Sequence, residues 1–194
     1  MKIGIFGGTF DPIHNAHMII AQYAKEQFVL DRLIFIPCGN PPHKKSLTDK
    51  TIRFCMTKLA VDDDFEISDY EVKREEYSYT LSTLQHFRNE YPDDEIYLII
   101  GEDSLSDIEK WHKPQEILKL CKLLVFVRNS KEELIKKIEY TKTAIGGEIF
   151  PIDAPIFEIS STHIRNRLKS GKSVRYMLPK KVLEYIEEND LYKE

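Results

Sequence analysis

Two histidines three residues apart, His14 and His17, follow Gly7-Gly8-Thr9-Phe10 in this chain. Glycines let a backbone turn tightly and come close to a ligand. A helix starting just beyond them offers unpaired N–H groups and the positive end of its dipole. Imidazoles at the same place add N–H donors or imidazolium charge. Together these groups suit chemistry on a phosphate. A metal pair is one alternative, but no H-E-x-x-H glutamate or obvious third ligand accompanies the histidines. A histidine bonded within the core is the other. The stretch is neither the G-x-G-x-x-G nor the G-x-x-x-x-G-K-[ST] pattern.

A second polar group is Ser160-Ser161-Thr162-His163-Ile164-Arg165. Hydroxyls at a helix start cap its free N–H groups, and capping alone would account for them. Arg165, one turn further in, could reach an anion held at the same helix end. Three other segments are plain when taken singly. Pro41-Pro42-His43-Lys44 is a stiff basic loop, Ser78-Tyr79-Thr80 a helix cap, and Trp111, the only tryptophan, a core aromatic.

The elements that must position these residues are legible in the apolar pattern. Strand-like runs occur at Lys2–Phe6, Leu33–Pro37, Ile96–Ile100, Leu123–Val127 and, more weakly, Glu148–Ile152. Most are continuous, as in strands buried on both faces. Helical periodicity covers Asn15–Phe28, Thr51–Val61, Leu81–Tyr91, Glu132–Tyr140 and Lys180–Asn189. The tail Val182–Leu191 reads as a helix docking on the sheet. The alternation predicts an α/β fold: a Rossmann-like parallel sheet with helices on both faces, in a single domain over residues 1–194. Ligands in such sheets bind beyond the carboxyl ends of the strands.

Composition narrows the class. The 194 residues suffice for one domain with a substantial core. A net charge of −4 gives no support for a nucleic-acid binder. Cys38, Cys55 and Cys121 lack C-x-x-C spacing and read as reduced thiols, which points to the cytoplasm. No apolar run approaches the ~20 residues of a membrane span, and the chain enters a strand at once with no signal peptide ahead of it.

Gly8-Thr9-Phe10-Asp11-Pro12-x-His14-x-x-His17 resembles the signature of the nucleotidyltransferase superfamily with a T/H-x-G-H motif, with Ala16 in place of the usual glycine. Ile159-Ser160-Ser161-Thr162-His163-Ile164-Arg165 resembles the superfamily's I-S-S-T-x-[IV]-R element. Pro42-His43-Lys44, Ser78-Tyr79-Thr80, Trp111 and Gly101-Glu102-Asp103 extend the likeness along nearly the whole chain, to the nicotinate (nicotinamide) mononucleotide adenylyltransferases and their bacterial nicotinate branch. The resemblance implies transfer of AMP from ATP to nicotinate mononucleotide, giving nicotinate adenine dinucleotide and pyrophosphate. It implies His14, His17 and Arg165 as catalytic residues. Gly7, Gly8, Thr9, Phe10, Gly101, Asp103, Ser160, Ser161, Thr162 and Arg165 would hold ATP, with Mg²⁺ carried on its phosphates. His43, Lys44, Tyr79, Thr80 and Trp111 would hold the mononucleotide. A homo-oligomer is compatible with this reading, while nucleic-acid and membrane partners are not expected. The rivals are a phosphopantetheine adenylyltransferase or cytidylyltransferase of the same superfamily, and a non-catalytic nucleotide-binding regulator on the same fold.

Overall fold

The structure is a computed structural model that describes residues 1–42 and 48–193. Six strands, β1 (Lys2–Gly8), β2 (Arg32–Pro37), β3 (Glu66–Ile67), β4 (Glu95–Gly101), β5 (Lys122–Phe126) and β6 (Ile149–Ile152), form one sheet. Their order is β3-β2-β1-β4-β5-β6, and every pairing is parallel. The order reverses direction between β1 and β4, which makes that crevice the switch point where ligands settle in a doubly wound sheet.

Eight α-helices are present among the described residues: α1 (Asn15–Phe28), α2 (Lys50–Ala60), α3 (Thr80–Glu90), α4 (Glu102–Ser106), α5 (Pro114–Leu120), α6 (Lys131–Ile145), α7 (Ser161–Lys169) and α8 (Lys180–Glu188). Alternate strand residues serve opposite faces. Phe6, Phe35, Ile99 and Leu124 pack with α1, α2, α7 and α8. Ile5, Ile36, Leu98 and Val125 pack with α3, α5 and α6. The central strands β1, β2, β4 and β5 are covered on both sides, which is why their sequences are continuous apolar runs. Among the described residues no helix is long and apolar enough to cross a membrane.

The expected strands and long helices are all found. Beyond them lie β3, α4, α5 and a 3-10 turn at Ile108–Lys110. The tail helix α8 buries Val182 and Ile186 as its pattern requires, but its main partner is α2 rather than the sheet itself.

Glu102, at the start of α4, locks the ends of two strands together. It is fully buried. Oε2 accepts from the backbone N–H groups of Arg128 (3.0 Å) and Asn129 (3.3 Å), and Oε1 from Lys137 Nζ at 2.6 Å. Burial opposes its charge, yet Lys137 and the two N–H groups hold its pKa below the usual carboxylate range. Glu102→Ala removes every one of these acceptors at once. It should cost about 2 kcal/mol in urea unfolding, the scale for leaving buried N–H groups without their acceptor. Glu102→Gln, which keeps one acceptor oxygen, should cost less.

Candidate active site

A cavity of about 530 Å³ opens at the carboxyl ends of β1 and β4. Gly7, Gly8, Thr9, Phe10, His17, Gly101, Asp103, Thr80, Trp111 and Ser161 line it, ten of the residues singled out from the sequence. His14, Tyr79, Ser160, Thr162 and Arg165 lie outside its lining. His43 and Lys44 fall outside the described residues.

The glycines act differently from one another. A Cβ on Gly7 would enter open space, so the bare backbone there borders the cavity freely. A Cβ on Gly8 would stand 2.6 Å from the Phe10 ring, and one on Gly101 would stand 2.9 Å from Phe126. These two glycines are therefore required by packing. Phe10 adopts a φ of 49°, a left-handed conformation uncommon for such a side chain. Its ring is fixed edge-on against Phe6 (5.8 Å between centroids) and His17 (5.1 Å).

The loop from Thr9 to Asn15 is held by donors from distant parts of the chain. Arg53, itself fully buried, donates to the Thr9 carbonyl at 2.8 Å. Arg165 Nη1 donates to the Asp11 carbonyl at 2.7 Å, and Ser161 Oγ donates to the Pro12 carbonyl at 2.9 Å. The Tyr192 hydroxyl donates to Asp11 Oδ1 at 2.6 Å. Asn15 donates through its backbone to the Met177 carbonyl and through Nδ2 to the Tyr176 carbonyl, both at 2.9 Å. Such anchoring fixes the turn before any ligand arrives, which is what charge stabilisation requires. Ser160 caps α7, its Oγ accepting from the His163 N–H at 3.1 Å. Thr162 Oγ1 accepts from Arg165 Nη2 at 3.3 Å. Ser161 and Arg165, expected to grip phosphates, make contacts to the loop's backbone carbonyls.

His14 and His17 stack with ring centroids 3.7 Å apart and planes at 21°. The His14 backbone N–H donates to His17 Nδ1 at 3.2 Å. A nitrogen that accepts carries no proton, so the neutral His17 ring holds its hydrogen on Nε2. Burial, aided by the Arg128 charge, pushes the His14 ring down to about 3. Burial, then His14 and Arg128, hold His17 well below the ordinary imidazole range. Both rings are therefore neutral at pH 7, and His17 presents an N–H donor rather than an imidazolium. His14 Nδ1 is buried without a hydrogen-bond partner among the described residues, beside a small cavity of about 20 Å³.

Arg128 is the functional candidate that the sequence reading missed. It borders both cavities, and its Nε lies 3.1 Å from Asp103 Oδ2. The available signal was its place directly after the fourth apolar run, at a strand's carboxyl end. On the opposite wall, Ser78 is no helix cap. Its N–H donates to the Asn40 carbonyl at 2.9 Å and its Oγ accepts from the Asn40 N–H at 3.2 Å. The Tyr79 ring instead lies 5.4 Å from His112.

Comparison with known proteins follows the same lines. The cytidylyltransferase-like family matches residues 5–167. A probable nicotinate-nucleotide adenylyltransferase of Clostridium botulinum (strain Loch Maree / Type A3) is 48% identical over 97% of this chain and 98% of its own. Another, from strain Eklund 17B / Type B, is 46% identical over 100% of this chain and 98% of its own. The solved nicotinic acid mononucleotide adenylyltransferase of Plasmodium falciparum, complexed with NaAD, shares the fold with a TM-score of 0.78. It is 21% identical and covers 98% of this chain and 97% of its own. With the glycine turn, the paired imidazoles and the serine-rich helix start assembled at one switch point, the chain belongs to the cytidylyltransferase-like family and, within it, to the nicotinate-nucleotide adenylyltransferases.

Proposed function

We propose that the chain transfers AMP from ATP to nicotinate mononucleotide, releasing pyrophosphate and forming nicotinate adenine dinucleotide, as a cytoplasmic step of NAD biosynthesis. The observation that carries this reading is a single cavity with two kinds of wall. Gly7, Gly8, Thr9, His17 and Ser161 offer backbone and N–H groups suited to phosphates. Thr80 and Trp111 offer a hydroxyl and a flat apolar surface suited to a heteroaromatic ring. Full-length identity of 46–48% to relatives bearing that enzyme name supports the same reaction.

The mononucleotide phosphate is an anion at neutral pH and attacks the α-phosphorus of ATP directly. It needs no general base and forms no covalent enzyme intermediate. The protein's tasks are alignment and charge stabilisation. His17 donates from Nε2 to the α-phosphate as charge moves onto it, and His14 serves the triphosphate beside it. Thr9, Lys44, Ser161, Thr162 and Arg165 hold phosphates, and Asp103 meets the nucleotide sugar. An arriving phosphate favours the protonated forms of His14 and His17, opposing the effect of burial.

Mg²⁺ fits this donor set as a companion of the triphosphate. Besides the buried Glu71, the cavity wall offers the separate carboxylates Asp103 and Asp107, paired with Arg128 and Lys110, rather than a cage, and Mg²⁺ is commonly bound by one or two carboxylates plus substrate phosphates. When bound, the ion neutralises phosphate charge.

The test is turnover of ATP with nicotinate mononucleotide, nicotinamide mononucleotide, phosphopantetheine and a CTP-dependent control, with pyrophosphate release as the readout. The expected result is turnover with the pyridine mononucleotides, highest with the acid. Pyrophosphate release with phosphopantetheine alone, or with no substrate, rejects the reading. Trp111→Ala should raise KM for the mononucleotide roughly tenfold through lost stacking and leave KM for ATP within about twofold. Equal losses for the two substrates would remove Trp111 from the ring site.

A further inference from the structure

Glu71 is a buried carboxylate on the wall of the same cavity, 9% exposed. Its Oε1 accepts from Thr83 Oγ1 at 2.7 Å, and its Oε2 accepts from the Gly39 N–H at 3.4 Å. Both donors are neutral. Among the described residues no cationic group lies within ion-pairing distance of it. The nearby buried cation, Arg53, donates to the carbonyls of Gly39, Thr9 and Thr48 instead. The Gly39 peptide thus separates the two charges. A carboxylate withdrawn from water without a cationic contact is costly, and proteins keep such groups where something else supplies the charge.

The ligand can supply it. A ribosylated pyridine nitrogen is quaternary, so the ring carries a positive charge at that nitrogen alongside its own carboxylate. Glu71, Thr80, Thr83 and Trp111 border one cavity, pairing a buried negative charge with an aromatic surface. Both features favour the positively charged nitrogen of a flat ring. We propose that Glu71 is the counter-charge of the pyridinium nitrogen and selects the oxidised ring, which carries that positive charge beside its own carboxylate, over the dihydropyridine form, which has lost it. The inference rests on the mononucleotide reading above. A purely structural Glu71, pinning the Gly39 turn to α3, would have no reason to sense ring charge.

The experiment compares oxidised and chemically reduced nicotinate mononucleotide as substrates with saturating ATP. They have nearly the same outline and differ in ring charge. The wild type should favour the oxidised form roughly tenfold in kcat/KM, the size of one partly screened charge pair. Glu71→Gln should bring that ratio to within about threefold, mainly by raising KM for the oxidised substrate, with KM for ATP unchanged. Glu71→Asp and Thr83→Val keep the charge and should keep the preference. Equal use of both forms by the wild type overturns the proposal, whether or not the glutamine variant folds. An undiminished preference in Glu71→Gln overturns it as well. Failure of the wild type to use oxidised nicotinate mononucleotide at all strikes the functional reading instead.

Discussion

His17→Ala lowers the turnover number roughly 10²–10³-fold, the loss typical of removing one preorganised donor to a developing oxyanion. The His17 ring borders the cavity, and its Nδ1 is occupied by the His14 backbone N–H. That contact fixes both the tautomer and the ring plane, so Nε2–H is aimed before substrate arrives. An interaction made in the transition state alone lowers kcat and kcat/KM together. KM for ATP should therefore change little. Steady-state kinetics with both substrates, alongside circular dichroism to verify the fold, measures this. Wild-type turnover in the alanine variant would reject the role.

The second large effect is acid sensitivity of the fold. In the folded chain burial and Arg128 keep His14 neutral down to about pH 3, whereas a free imidazole takes a proton near 6.5. Below pH 6.5 the unfolded chain therefore binds the extra proton, and stability falls as pH falls. The full contribution is present above that range. By pH 5 the loss from His14 is about 2 kcal/mol. His17 is shifted the same way by burial and adds to it. Carboxylates also titrate in acid, so the informative quantity is a difference. Urea unfolding of wild type and His14→Gln at pH 7 and pH 5 should show a drop smaller by about 2 kcal/mol in the variant. An identical drop in both proteins would mean that His14 takes its proton in the folded state as easily as in the unfolded one.

The sequence revealed whatever was contiguous and periodic. Asn15–Phe28 is a helix with the bounds its four-residue spacing indicates. The five apolar runs became strands, the first four because burial on both faces leaves little choice of residue. The missed pieces are short. The strand Glu66–Ile67 and the helix Glu102–Ser106 span too few residues to repeat a pattern. In the site, the glycine turn and the histidine pair were legible because neighbours in sequence remain neighbours in space. Glu71 and Arg128 were not, because each takes its meaning from a partner brought to it by the sheet. Ser161 and Arg165 show a different limit. Residue type indicates what a group can bind, and only the fold reveals that backbone carbonyls of the Asp11-Pro12 loop are within reach.

Those ties have a consequence for biosynthesis on the ribosome. Three bonds to the loop come from residues 149, 154 and 181 positions later in the chain. Translation delivers the amino end first. The first segment to emerge that could touch a nucleotide is therefore among the last to acquire its shape. A nascent polypeptide that has not yet exposed Ser161, Arg165 and Tyr192 carries both imidazoles on a turn that lacks these three ties, and competence for catalysis arrives late in synthesis.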